Sequence, residues 1–218
     1  MDLSNWTGAL HPERVTLDGR YARLEPLVPA RHGPDLLRSA RQPGADDRFR
    51  YLSEEPPDAA AFAPWLEEAA ASADPLFFAV INQATGYAEG RQSLMRIDPV
   101  HGVIETGHIL WGPAIARSRV ATEALYLFAA YVFDTLGYRR FEWKCNNENE
   151  PSKRAAARFG FTPEGVFRQH MVQKGRSRDT AWFAMTDGDW PRLKTGYEAW
   201  LRPESFDNAG QQRSKLAF

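Results

Sequence analysis

Two short segments combine residue types that can hold an anion and present polar groups to it. The first, WGPAIARSRVATEA at 111–124, reads as a strand end, a loop and the start of a helix. Such a junction carries unpaired backbone N–H groups and the positive end of a helix dipole, a ready anion site. Arg117 and Arg119 stand beside it and can add guanidinium donors to a phosphate. The second, NNENEPSKRAAARFGF at 146–161, ends a strand in asparagines and opens a short helix. Asn149 either caps that helix or projects, with Ser152, from the sheet end toward whatever the first loop holds. Residue types and spacing leave both readings open.

The remaining reactive side chains point less sharply. His108 and His170 are of the one residue type suited to proton transfer at neutral pH, but packing is the commoner use of either. Cys145 follows Phe141 and Trp143 on one strand face, a core position without an activating neighbour at readable spacing. As the lone cysteine it excludes an intramolecular disulfide and a multi-cysteine zinc site. Neither G-x-x-x-x-G-K-[ST] nor G-x-G-x-x-G occurs, which argues against an ordinary nucleotide-binding motif.

These segments need a scaffold, and periodicity supplies one. Residues 20–27 alternate as a strand, 31–41 and 58–72 read as helices, and Pro64 should kink or split the second. Strands follow at 76–82, 86–97 and 103–111, the turns falling on QATG and DPVHG. The stretch 122–137 is apolar around nearly its whole circumference, so it predicts a buried central helix with Thr122 as N-cap and Gly137 past its end. A strand at 139–145, a helix at 150–159, strands at 164–173 and 180–186 around KGRSRD, and a helix at 190–201 complete the order. The fold class is α/β (α+β): a mixed sheet around one dominant inner helix. Residues 1–202 are expected to form a single domain, and 203–218, which lacks an apolar pattern, a mobile tail.

Composition narrows the setting. The chain has 218 residues, 43% hydrophobic and 25% charged, which suits a soluble globular protein. No basic segment leads into an apolar run at the start, and the longest apolar run, 124–133, is too short to span a membrane. A soluble, cytoplasmic protein is expected. The net charge of −1 argues against a general nucleic-acid binder. The charge is nevertheless divided, with Lys and Arg concentrated in 111–180 and Asp and Glu in excess over 1–110. That asymmetry suggests a basic half facing an anion.

The order of the ATEA helix, a strand, N-x-x-S, then GF and EG (Asn149, Ser152, Gly160, Phe161, Glu164, Gly165) resembles the GNAT superfamily of acyl-CoA-dependent N-acetyltransferases. Arg178, Asp179 and Thr180, with Asp189, Trp190 and Pro191, are similar to its RimJ/RimL branch. The resemblance covers about residues 12–195. It implies a strongly twisted mixed sheet with helices on both faces, acetyl-CoA as co-substrate and no metal. It further implies direct transfer of an acetyl group to a primary amine, a protein N-terminus or small amine, in a ternary complex. The family's diphosphate loop falls on Ala116, Arg117, Ser118, Arg119, Val120 and Ala121, running into Thr122. Ala116 replaces the usual Gln or Arg, and Arg119 replaces a glycine, where a side chain must avoid positive φ or accept strain. The strand whose main chain holds pantetheine corresponds to Ile109, Leu110 and Trp111, and Asn149 would contact the same arm.

The chemistry implied needs an acid for the leaving thiolate and a base for the amine. Many relatives carry a tyrosine seven residues after the asparagine, but here that position is Ala156, which leaves Ser152. For the base, period two places Glu105 on one face of 103–111 with Val103, Gly107, Ile109 and Trp111, a carboxylate interrupting an apolar set. Its other reading is a structural partner for arginine. The acidic N-terminal half should form the acceptor side, with Asp46, Asp47, Glu54 and Glu55 attracting a cationic amine. A homodimer through 164–173 and the tail is compatible with the pattern. The competing class is a non-catalytic acyl-CoA-binding or sensing module on the same fold.

Overall fold

A computed structural model describes residues 2–218. Its elements run β1 (Leu17–Asp18), β2 (Ala22–Pro26), α1 (Pro29–Ala40), α2 (Ala45–Phe49), α3 (Ala59–Ala71), β3 (Leu76–Asn82), β4 (Ala88–Asp98) and β5 (Val103–Trp111). Then come α4 (Arg119–Ala130), a π-helical turn (Tyr131–Thr135), β6 (Arg140–Asn146), α5 (Glu150–Arg158), β7 (Thr162–Gln173), β8 (Arg176–Thr186), α6 (Trp190–Trp200) and a 3-10 turn (Pro203–Ser205). The strands make one sheet in the order β1-β2-β3-β4-β5-β6-β8-β7. Only β5 and β6 run parallel.

β3 explains why helices cover both faces. Its first six residues are buried, and alternate side chains serve two cores. Phe78 and Val80 join the larger core with α4, α6 and Tyr138. Phe77, Ala79 and Ile81 point the other way, under Leu36 of α1 and Phe62 and Leu66 of α3. A strand buried on two faces reads as a continuous apolar run, as LFFAVI does.

The central helix begins earlier than its apolar pattern suggests. Ser118, not Thr122, is the N-cap: its Oγ accepts from the Val120 amide at 3.1 Å, and α4 opens at Arg119. A short polar side chain at the boundary decides the start, whereas the apolar run begins a turn later. Thr122 instead donates its hydroxyl to the Ser118 carbonyl at 3.0 Å. Glu123, buried in the second turn, accepts from the amides of Arg20 at 3.0 Å and Ala22 at 2.6 Å, tying α4 to the β1–β2 turn. Gly19 makes that approach possible, since a Cβ there would meet the Glu123 carboxylate at 2.6 Å.

Three other expectations change. α3 runs unbroken through Pro64, because the carbonyl that loses its N–H partner belongs to Ala60 in the exposed first turn. The short α2 has no counterpart in the apolar pattern. The β7–β8 turn shrinks to Lys174 and Gly175, both at positive φ, so β8 starts at Arg176. Such two-residue turns match the twist of a hairpin.

The C-terminal stretch also folds back. Phe206 is buried against Trp200 and Tyr21, Trp200 Nε1 donates to the Ser214 carbonyl at 2.9 Å, and Phe218 packs on Tyr197. Two aromatic anchors in a polar stretch give no periodicity to read. No helix among the described residues is long and apolar enough to cross a membrane.

Candidate active site

Parallel pairing of β5 with β6 ends at Thr106–Trp143. Beyond that point Gly107–Trp111 and Lys144–Asn146 diverge, and the β6-facing amides of β5 lose their strand partners. A cavity of about 400 Å3 fills the gap, lined by Glu105, Gly107, His108, Ile109, Trp143, Lys144, Cys145, Asn149 and Ser152, among others.

A bulge on β5 shapes this opening. Arg91 pairs with Leu110 but Ser93 with Gly107, so Gln92 faces two residues, and His108 takes φ 49°. The extra residue reverses the alternation. Glu105, His108 and Leu110 therefore share the face of α1 and α3, while Ile104, Ile109 and Trp111 pack on the α4 side. The strict period-two grouping of Glu105 with Ile109 and Trp111 is thus incorrect. Trp111 lies edge-on to Phe159 and donates to Gln92 at 3.1 Å, and Leu110 packs with Ala40 and Phe49.

Two of the singled-out polar side chains meet at the start of α5. Asn149 caps the helix, its Oδ1 accepting from the Ser152 amide at 3.1 Å. It also lines the gap, so both readings of Asn149 hold geometrically. Trp143 Nε1 donates to Ser152 Oγ at 2.9 Å, which leaves the serine proton free to be given to another acceptor. Cys145 lies beside it; burial pushes its thiol up, partly offset by contact with Ser152. That suits a core residue rather than a nucleophile.

Glu105 is buried in a chain of ion pairs. Its Oε2 takes Arg96 Nη1 and Lys144 Nζ, each at 2.9 Å, and Lys144 continues to Glu142 at 2.6 Å. Lys144 also sits 3.8 Å from the Trp182 ring centroid. Burial pushes the Glu105 carboxyl up, and the positive neighbours pull only part of the way back. Its structural reading, a partner for arginine, is realised, yet it also lines the gap. His108 packs 5.1 Å from Phe77, and burial followed by the nearby Arg91 charge pushes its imidazole down, so it is neutral at pH 7. His170 Nδ1 lies 3.0 Å from Thr180 Oγ1 on the cavity wall.

The turn before α4 has donors to spare. Ala116 and Ser118 amides bond back to Gly112 and Ile115, and Val120 to Ser118 Oγ. Among the described residues no acceptor meets the amides of Arg117, Arg119 or Ala121. The left-handed residue is Arg117, at φ 59°, whereas Arg119 is already helical, so the strain anticipated at Arg119 falls two residues earlier. The Arg119 guanidinium lies over Tyr21 at 4.4 Å and Phe206 at 5.1 Å. Arg158, which the sequence did not single out, donates to Thr122 Oγ1 at 3.1 Å and brings a cation to this helix start.

The acidic residues do not gather as expected. Asp46 and Asp47 are exposed on α2 and outside the gap. Glu54 pairs with the buried Arg91; burial is the strongest single influence and works to raise its carboxyl, but Arg91, the Ser53 hydroxyl and the backbone together hold it below the usual range. Glu55 pairs with Lys174 at 3.1 Å. Sequence reasoning also missed Trp143, Lys144, Arg96 and Arg178 as wall residues. Lys144 alone left a trace, as a charge beside apolar neighbours in FEWKC.

Comparison with known proteins agrees with this geometry. The acetyltransferase (GNAT) domain family matches residues 23–162. A GCN5-related N-acetyltransferase from Brucella melitensis is 59% identical, with a TM-score of 0.97 over 98% of this chain and 97% of that one. The uncharacterized N-acetyltransferase p20 of Bacillus licheniformis is 30% identical over 50% of this chain and 60% of its own length. The uncharacterized N-acetyltransferase YoaA of Bacillus subtilis is 38% identical over 29% of this chain and 36% of its own. The matches thus span less than two thirds of these curated relatives. RimL, a ribosomal L7/L12 alpha-N-protein acetyltransferase, shares the fold at 18% identity, with a TM-score of 0.68 over 79% of this chain and 94% of that one. A splayed β5–β6 pair, a donor-rich turn ahead of α4 and these matches together assign the chain to the GNAT acetyltransferases.

Proposed function

We propose that the protein transfers an acetyl group from acetyl-CoA directly to a primary amine, both substrates being bound at once. The observation that carries this reading is the parting of β5 and β6 beyond Thr106 and Trp143, which opens the sheet between Ser152 and Glu105. The free amides of Arg117, Arg119 and Ala121 fit a diphosphate, and the turn Ala116–Thr122 would hold it, with Arg158 nearby. The unpartnered β5 main chain at Ile109–Trp111 would take the pantetheine amides and, near the bulge, the thioester oxygen. Asn149 stands on the opposite wall.

The proton balance then falls on two side chains. Glu105 Oε2 is committed to Arg96 and Lys144, whereas Oε1 faces Gly107, 3.8 Å from where a Cβ there would sit. Through a water, Oε1 would take the proton that the ammonium must lose before its nitrogen attacks the thioester carbon. As the C–S bond breaks, Ser152 would pass its proton to the thiolate and recover one from solvent. Much of the acceleration would come from holding both substrates in register.

The test is release of CoA thiol from acetyl-CoA across a panel of amino acids, amines and peptides, with product identified by mass. Acetylated product supports transfer. Acetyl-CoA binding with no product across the panel would favour the sensing module instead.

A further inference from the structure

The wall of the gap is strongly cationic. Arg48, Arg96, Lys144, Lys174 and Arg178 all line it, against a single lining carboxylate, Glu105. Three of the five are spoken for: Arg96 and Lys144 by Glu105, Lys144 also by Glu142, and Lys174 by Glu55. Arg48 is spent on the carbonyls of Ala40, Gln42 and Pro43, closing the end of α1.

Arg178 is different. It is partly buried, with Nε donating to Thr180 Oγ1 at 3.2 Å and Nη1 to Gln173 Oε1 at 3.0 Å. These neutral contacts fix its plane. Among the described residues no carboxylate pairs with it, and no acceptor meets Nη2. A guanidinium held rigid at a cavity wall without a counter-ion is suited to an incoming carboxylate.

The same cavity is roofed. Gln173 Nε2 donates to the Tyr51 carbonyl at 3.0 Å, Lys174 Nζ to the Phe49 carbonyl at 3.1 Å, and Tyr51 Oη to the Glu148 carbonyl at 3.2 Å. The stretch after α2 is thereby strapped to the β7–β8 turn and to the loop before α5. The backbone of a protein N-terminus, moreover, brings no carboxylate beside its amine for Arg178 to hold, whereas a free amino acid does.

We infer, building on the acetyl-transfer reading, that the acceptor is a small amine bearing its own carboxylate, an amino acid or close analogue, with that carboxylate held by Arg178. Nη2 takes one carboxylate oxygen, and the amino group is left to face Glu105. The expected acidic acceptor pocket for a bare cation is replaced by a basic one for a zwitterion.

The experiment compares amino acids with the amines left after their decarboxylation, histidine with histamine and phenylalanine with phenethylamine, and adds a long peptide with a free N-terminus. Transfer from acetyl-CoA is measured in the wild type, Arg178→Gln and Arg178→Lys, alongside calorimetric binding of each acceptor. The carboxylated member of a pair is expected to have the higher kcat/KM, by about tenfold or more. Arg178→Gln should raise KM for amino acids by about tenfold more than for their decarboxylated amines, and Arg178→Lys should recover part of that difference. Preference for decarboxylated amines or for the peptide would overturn the inference while leaving acetyl transfer standing. So would an equal loss on both members of a pair in Arg178→Gln. If no acceptor is acetylated, the transfer reading fails, and the calorimetry still decides whether carboxylated amines bind through Arg178.

Discussion

Trp143 Nε1 donates to Ser152 Oγ across 2.9 Å, at the place where β6 leaves β5. The indole thereby fills one lone pair of the hydroxyl and leaves its proton to be given to another acceptor. Ser152→Ala removes that proton with little change of volume. It should lower kcat about 10²-fold, within the usual range for a proton donor, and leave KM for acetyl-CoA nearly unchanged. Trp143→Phe keeps the ring in the core but frees the serine to turn. A smaller loss, read in the same steady-state assay, is expected.

Glu105 is predicted to set the acid limb of the pH profile. Burial raises its carboxyl, so kcat/KM should fall with acidification at a pH above the ordinary carboxylate range. Below its pKa the group is protonated and can take no proton from the amine. Glu105→Gln should lower kcat and flatten that limb. A limb unchanged in Glu105→Gln would transfer the role to His108, which lines the same cavity.

Arg119 offers a way to test a single backbone donor. It is the first residue of α4, a position where proline is well tolerated, and Ser118 before it is already extended at φ −109° and ψ 175°. Arg119→Pro and Arg119→Ala both remove the side chain from Tyr21 and Phe206, but only the former removes the amide. The proline variant is expected to bind acetyl-CoA about ten- to a hundredfold more weakly than the alanine variant, in keeping with ~1.5–3 kcal/mol for a charge-assisted hydrogen bond. Calorimetric titration of the two at matched salt checks it. Equal affinity would place the diphosphate elsewhere.

How far the sequence reaches is clear from these same residues. The strands and helices were legible wherever apolar residues alternate, as at 20–27, or run on unbroken, as in LFFAVIN and the α4 stretch. The donor-bearing turn ahead of α4 was legible as a strand–loop–helix junction flanked by arginines, a pattern that many junctions share without binding anything, so the diphosphate role rested on the family resemblance. The β5 bulge was not, since one inserted residue leaves no compositional mark but moves Glu105 off the face of Ile109 and Trp111. Arg178 was invisible as a wall residue, and Lys144 left only a charge among apolar neighbours, because the cavity they line is assembled from β4, β5, β6, β7 and β8 together. The aromatic anchors Phe206 and Phe218 were likewise lost in a polar tail.

A last prediction concerns stability rather than catalysis. His32 is buried, its Nδ1 accepting from the Val28 amide at 3.1 Å. Nε2 must then carry the proton and donate to Glu25 at 3.0 Å, so the folded protein holds a neutral ring against a carboxylate. Burial pushes the imidazole below its ordinary value, only partly opposed by Glu25. The unfolded chain, by contrast, takes up a proton near pH 6.5. Stability from this group is therefore complete above about pH 6.5 and is lost as the pH falls toward the depressed folded value. His108 shifts the same way, so the wild type alone cannot isolate the effect. Urea unfolding of wild type and His32→Gln between neutral and mildly acidic pH does. The variant should be less stable at neutral pH, and the gap between the two should narrow on acidification. A gap that stayed constant or widened would mean that His32 does not titrate on unfolding as its buried pairing requires.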